Sequence, residues 1–496
     1  MSSRIGFDNS KYVSMQSEHI KERIDQLGGK LYLELGGKLF DDYHASRVLP
    51  GFEPDSKIKM LMQLADRAEV VIVINASDIA KNRVRSDLGI TYEADVLRLI
   101  DAFRARGLLV GTVVITQYAG QYAADVFRRR LLSMGLKVAM HYPISGYPSN
   151  IRHIVSDEGY GKNDYIVTEK PLVIVTAPGP GSGKMATCLS QLYHDAKHGI
   201  RSGYAKFETF PIWNLPLKHP VNLAYEAATA DLKDVNIIDP FHLEAYGKLA
   251  VNYNRDVEAF PLLVSTLEKI TGTCPYQSPT DMGVNMAGFC ITDDDAVCDA
   301  AKQEIVRRYY DARCQRVLCK VDDETVYKCE MIMAQAGITI DFRRVVAPAL
   351  RASEQTGKPA VCIELPNGKL VTGKTTPLLG SSSAALLNSL KELAGIPDEI
   401  KLISQEIIEP VCRLKTEFLG NHNPRLHTDE TLIALSICAA QDDTAKRALE
   451  ALPQLRGAEL HSTVVLPAVD AATFKKIGLN VTCEPVYESK KLYKAK

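Results

Sequence analysis

The chain lacks any CxxC pair among its 11 cysteines, has no HExxH run, and carries a single tryptophan in 496 residues. Without paired cysteines there is neither a zinc-ribbon ligand set nor a short disulfide framework, so the cysteines are expected to be reduced, small apolar fillers, and no metal is called for. Charge of one sign is also missing. Lysine plus arginine number 59 against 60 acidic residues, a net charge of -1, which gives no electrostatic reason to expect nucleic acid or an anionic membrane as partner. No run of about 18 apolar residues occurs, and the opening MSSRIGFDNSKY lacks the charged-then-apolar layout of a signal peptide. A cytoplasmic location is the expectation. Internal repeats and low-complexity segments are absent, and the basic tail of Lys490, Lys491, Lys494 and Lys496 reads as a solvated terminus.

What is present is an ordinary globular composition, 46% hydrophobic and 24% charged, in a chain long enough for two to four domains. From Leu31 the pattern alternates between strand and helix. Leu31 to Leu35, Val70 to Ala76, Leu109 to Ile115, Lys137 to Tyr142 and Leu172 to Val175 are apolar runs of buried-strand type. Helix-period segments separate them at Lys57 to Ala68, Tyr92 to Arg106 and Gln121 to Met134. This predicts an α/β fold, a Rossmann-like, doubly wound, mostly parallel sheet over 1–240, ending near Asp239. A mainly helical subdomain over 241–337 and a C-terminal α+β domain over 338–496 follow. In the last of these, Pro366-Asn367-Gly368 marks a hairpin, Pro397 to Phe418 a helix, and Thr463 to Leu466 and Asn480 to Cys483 strands.

The most informative stretch is APGPGSGKMATC, Ala177 to Cys188, where a strand hands over to a helix. Gly179, Gly181 and Gly183 let the backbone curl and approach an anion closely, Ser182 sits among them, and Lys184 adds a positive charge at the helix start. A proper Walker loop would need glycine at Pro178 and a magnesium-holding hydroxyl at Met185, so the pattern indicates an anion cradle without naming a cofactor or a reaction. The alternative is a tightly packed turn. Ligands of doubly wound sheets bind beyond the carboxyl ends of the strands, so Gly36 to Lys38, Asn75 to Asp78, Thr116 to Tyr118 and Thr176 to Lys184 are expected to share one rim. Cys188, one turn into the helix, is a minor candidate nucleophile with no assignable base.

A second candidate lies in Val371 to Asn388, where Lys374 precedes Gly380, Ser381 and Ser382 at a helix start and offers a second clamp for an anionic group. The alternative there is a solvent-facing cap. Gly380-Ser381-Ser382-Ser383-Ala384 also mimics a nucleophile elbow, with a poor strand before it. The dense polar residues between Trp213 and Asp256, and Ser278, Thr280, Asp281 and Asn285, are read as caps and turn ties before substrate contacts.

The phrases APGPGSGKMATCLSQLYHD, FPIWNLPLKHPVNLAYEAATADL, SPTDMGVNMAGF and NGKLVTGKTTPLLGSSSAALLN are long and specific. On them the chain resembles, over nearly its whole length, the bacterial uncharacterised protein family 0371, or domain of unknown function 1846. The resemblance implies an N-terminal and a C-terminal family domain in a bacterial cytosolic setting, and supplies no catalytic residues. Some relatives carry a zinc-protease label that this sequence does not support. The expected partner is a phosphate-bearing small molecule or a nucleotide, with a homo-oligomer left open. Three roles follow in order: an enzyme acting on that ligand, a non-catalytic metabolite sensor or oligomeric scaffold, and a serine hydrolase using Ser382.

Overall fold

Leu31–Leu35 and Leu172–Thr176 are buried at every residue, which is what strands covered by helices on both faces require. In the computed structural model, described over residues 4–85 and 88–488, they are central strands of a seven-stranded sheet; the basic tail lies outside the described residues. We number the sheet's strands β1 Leu31–Leu35, β2 Ala68–Asn75, β3 Leu109–Thr116, β4 Lys137–Met140, β5 Leu172–Thr176, β6 Gly203–Phe207 and β7 Gly283–Val284. Their order is β7-β6-β1-β5-β2-β3-β4, and every neighbouring pair is parallel.

The two-residue pleat divides β2 between two cores. Val71 and Val73 join Val173, Val175, Cys188, Leu192, Phe260 and Leu267 on one side, whereas Val70, Ile72 and Ile74 face the other. The first side is covered by helices Lys184–Lys197 and Asn254–Thr271. Each fully buried Val, Leu or Ile there contributes about 1.5–3 kcal/mol against exposure. One detail differs from expectation and one adds to it. The sheet does not end near Asp239, because Gly283–Val284 adds an edge strand beside β6, and a two-residue strand leaves no apolar run to recognise. The polar segment before Lys30 forms helix Asn9–Gln26, started by the Asp8 carboxylate accepting from the Lys11 amide.

The chain divides into two compact units, one of Ile5–Tyr225 with Asp234–Val297, the other of Glu226–Lys233 with the chain from Cys298 onward. The second unit is helical through Asp323–Gln335 and then carries a mixed four-stranded sheet. Ala360–Glu364 and Leu370–Lys374 form the expected hairpin, with Gly368 at φ +79 in its turn. Glu459–Ser462 pairs antiparallel with Ala360–Glu364, and Asn480–Cys483 pairs parallel with Glu459–Ser462. The strand expected at Thr463 to Leu466 therefore lies a few residues earlier. Its polar residues Glu459 and His461 hid it, and both are partnered by buried side chains. Likewise the helix expected from Pro397 begins only at Gln405. No helix among the described residues is long and apolar enough to cross a membrane.

Candidate functional site

From β2 the chain moves toward β3, and from β5 it moves the opposite way to β6, so the connections diverge between these adjacent strands. Such a switch point opens a crevice at the carboxyl ends of the strands. The glycine-rich loop sits at that position. Asn75, the last residue of β2, donates its side-chain amide to the Gly181 carbonyl at 3.3 Å. Thr116, the last residue of β3, donates its hydroxyl to the Ser182 carbonyl at 2.6 Å. Both clasps take carbonyls. They thereby leave the amide side of the loop free, and none of the amides of Gly181, Ser182, Gly183, Lys184 or Met185 has an acceptor among the described residues.

Glycine is required in this loop for two reasons. At Gly179 a Cβ would lie 2.2 Å from the Tyr92 hydroxyl, so the loop folds directly over that ring. Gly183 has φ +92, in the left-handed region, and starts helix Lys184–Lys197. Ser182 is fully buried and donates its hydroxyl to the Gly179 carbonyl at 2.9 Å, which closes the turn internally.

Lys184 is not the freely exposed cation its sequence context suggests. Only 14% of its side chain is accessible, and Nζ stands 3.9 Å from Glu34 Oε1. Glu34 occupies the fourth position of β1, in register with Lys206 on β6, so the parallel pairing sets both side chains on the same face. The Tyr204 hydroxyl donates to Glu34 Oε2 at 2.8 Å. Lys206 Nζ is 2.6 Å from Glu208 and also pairs with Asp256, in the first turn of Asn254–Thr271. A half-buried row of alternating charge thus runs from the loop lysine along the sheet: Lys184, Glu34, Lys206, then Glu208 with Asp256.

Burial pulls the Lys206 ammonium down, but Glu208, Asp256 and Glu34 outweigh it and leave its pKa above the ordinary lysine value. The Glu208 carboxyl moves the other way. Burial pushes it up to about 7, with Lys206 opposing and Asp256 adding to the rise. Between about 5 and 7 the folded chain keeps a proton that an unfolded glutamate has released, so Glu208 makes stability fall as pH rises through that window. Glu208→Gln should remove this slope. As pH is taken from about 5 to about 8, the melting temperature of the variant is expected to gain on the parent by about 2 °C or more, the shift produced by roughly 1 kcal/mol. Parallel melting curves across that window would mean that Glu208 is ionised throughout.

Cys188 is buried, and burial followed by the Glu34 charge raises its pKa well above the ordinary thiol value. It is held as a thiol and fills core. The polar residues between Trp213 and Asp256 act as ties. Asp239 accepts from the Phe241 and His242 amides at 3.0 and 3.1 Å, and from the Thr280 amide at 3.2 Å and hydroxyl at 2.6 Å. Asn222 bonds both backbone groups of Ile212, and Ser278 accepts from the Asp281 amide at 3.1 Å.

Lys374, Ser381 and Ser382 belong to the second unit, where Lys374 is exposed at the end of its hairpin strand. Ser381 and Ser382 are buried in the first turn of Ser381–Ala394. The stretch before Ser382 is irregular from Thr375 to Gly380, so the strand that a nucleophile elbow needs is not there. Of the residues singled out from the sequence, the structure brings together Gly179, Gly181, Ser182, Gly183 and Lys184. The residues that sequence reading missed are Glu34, Lys206 and Glu208, and the signal for them was charge inside strand-like runs, in LYLEL and GYAKFE; Asp256 belongs to the polar stretch read as caps and turn ties, and it pairs with Lys206.

The family model described as domain of unknown function DUF1846, N-terminal, matches residues 5–337, and its C-terminal counterpart matches 341–493. A UPF0371 protein of Corynebacterium efficiens is 59% identical over 492 residues, covering 99% of this chain and 99% of that protein. A UPF0371 protein of Streptococcus pneumoniae strain JJA is 56% identical over 488 residues, covering 98% and 99% respectively. With both family domains matched in sequence and nearly full-length relatives at this identity, the chain belongs to the DUF1846 (UPF0371) family.

Proposed function

We propose that this protein binds a phosphate-bearing small molecule or nucleotide at the Thr176–Lys184 loop, with the phosphate serving as a handle. The observation that carries the reading is the set of five successive amides, Gly181 to Met185, left without acceptors at the head of a helix and at the sheet's switch point. Two facts speak for a handle over a transferred phosphoryl group. Met185 stands where a Walker loop has its hydroxyl, and the Ser182 hydroxyl is turned to the Gly179 carbonyl, so neither is placed to hold magnesium on a phosphate. The row Glu34, Lys206, Glu208 and Asp256 begins beside the loop lysine, and a carboxyl with a pKa of about 7 can give or take a proton near neutral pH. This favours an enzyme acting on the remainder of the ligand. A metabolite sensor uses the same amides and is distinguished by tight binding without turnover.

Calorimetry with pyrophosphate and with ATP tests the reading. Lys184→Ala should weaken binding by roughly ten- to a hundredfold, since it removes one charge-assisted contact and the cation between the Glu34 carboxylate and the anion. Glu34→Gln should tighten binding, because it releases Lys184 while still accepting from Tyr204. Unchanged affinity in both variants would remove the lysine from the site, and no binding of either probe by the parent would sink the reading.

A further inference from the structure

Within the second unit a cavity of about 530 Å³ opens between the end of the hairpin strand and helices Ser381–Ala394 and Gln405–Arg413. That volume falls in the range of small-molecule sites, about 300–1,000 Å³. Its walls are aliphatic: Leu378, Leu379, Leu387, Leu402, Ile403 and Ile408 line it. Three lysines, Lys374, Lys391 and Lys401, line it as well, and no aspartate or glutamate does. None of the three has a carboxylate within ion-pair distance among the described residues. Lys391 is nearly buried and donates from Nζ to the Asp398 carbonyl at 2.8 Å, which fixes its position, whereas Lys374 and Lys401 are exposed.

We propose that this cavity binds an amphipathic organic anion, with its aliphatic chain against the leucines and isoleucines and its carboxylate or phosphate head among Lys374, Lys391 and Lys401. Three lysines lining one cavity with no carboxylate in its lining favour an anion there, and the apolar wall gains by excluding water. One molecule with a charged head and an apolar tail satisfies both. An uncharged apolar ligand leaves the lysines uncompensated, and a small inorganic anion leaves the wall wet. The proposal also gives Lys374 a role that the serines beside it do not share, because Ser381 and Ser382 are absent from the cavity lining. It does not rest on the glycine-rich loop, so either reading can fail alone.

Calorimetry on the full chain with decanoate, decyl phosphate, decylamine and butyrate, each below its micelle concentration, tests both halves of the proposal. Decanoate or decyl phosphate should bind, decylamine should not, and butyrate should bind at least tenfold more weakly than decanoate. In the double variant K374E/K401E, both changes being at exposed positions and the fold being checked by circular dichroism, affinity for the anionic ligands should fall by about ten- to a hundredfold. Equal affinity for decylamine and decanoate, equal affinity for butyrate and decanoate, or an unaffected double variant would each overturn it. So would attachment to vesicles of phosphatidylglycerol in the absence of decanoate binding, since the anion would then be a membrane surface.

Discussion

Gly183→Val is expected to lower the affinity for pyrophosphate or ATP by a hundredfold or more, a larger loss than removing the neighbouring lysine. Gly183 has φ +92, where an L-residue costs roughly 1–2 kcal/mol and a β-branched one more. A Cβ at this position would lie 3.2 Å from both Cγ2 and Oγ1 of Thr116. The Thr116 hydroxyl is the donor that fixes the Ser182 carbonyl, so pushing the threonine aside loosens the clasp that turns the following amides outward. Two misaligned donors to a charged group, at about 1.5–3 kcal/mol each, account for the hundredfold. Gly181→Ala is the control. Gly181 shares the positive φ, at +76, but a Cβ there meets nothing within 4 Å, so only the backbone strain remains and the affinity loss should be the smaller of the two. Parent-like binding by Gly183→Val would show that the loop amides do not form the site.

The framework of this site was legible because its parts are local. The runs at Leu31, Val70, Leu109 and Leu172 are dense in β-branched and leucine residues, which is how strands buried on both faces read, and glycines between a strand and a helix announce themselves by spacing. The charged row was not legible. Glu34 and Lys206 lie 172 positions apart in sequence and become neighbours only through the pairing of β1 with β6, while Asp256 arrives on a helix from later in the chain. A single charge in a strand of five reads as an exposed face of the pleat; here helices cover it, and the opposite charges on adjacent elements are what make burial tolerable. Lys184 reads as an exposed cation for the same reason, since its partner Glu34 is invisible from the loop. The short edge strand Gly283–Val284 escaped because strand recognition needs a run, and its pairing is supplied entirely by β6.

Arg343 in the second unit is likewise invisible from its sequence context, and its replacement should give the largest loss of stability. In DFRRVV it reads as one of two surface arginines, yet its side chain is fully buried. Nε donates to the Thr482 hydroxyl at 2.9 Å, and a terminal nitrogen donates to the carbonyls of Leu460 at 2.9 Å and Asn480 at 2.7 Å. The other terminal nitrogen pairs with Glu459. The guanidinium therefore ties together Glu459–Ser462 and Asn480–Cys483, the parallel pair at one edge of the sheet, where no hairpin connects the strands. Arg343→Met keeps most of the volume and removes every donor. The Asn480 carbonyl then loses its side-chain donor, at about 1–3 kcal/mol for an acceptor left unsatisfied, the Leu460 carbonyl keeps the Thr482 hydroxyl at 3.1 Å, and the Glu459 charge is left without its partner. Breaking a buried pair from one side costs about 3–5 kcal/mol, and that is the destabilisation expected in urea denaturation followed by circular dichroism. Arg343→Lys should recover little, because one ammonium cannot reproduce a planar fork serving four acceptors on two strands. Glu459→Gln should cost less than Arg343→Met, since an amide oxygen can still accept from the arginine, but it leaves the buried guanidinium without its counter-charge. Hydrogen exchange gives the local readout: the amides of Asn480–Cys483 should lose protection first in Arg343→Met. If Arg343→Met stays within about 1 kcal/mol of the parent, the parallel pair is held by its backbone ladder and by the helix Ala468–Ile477 that links its strands, and the buried fork is dispensable.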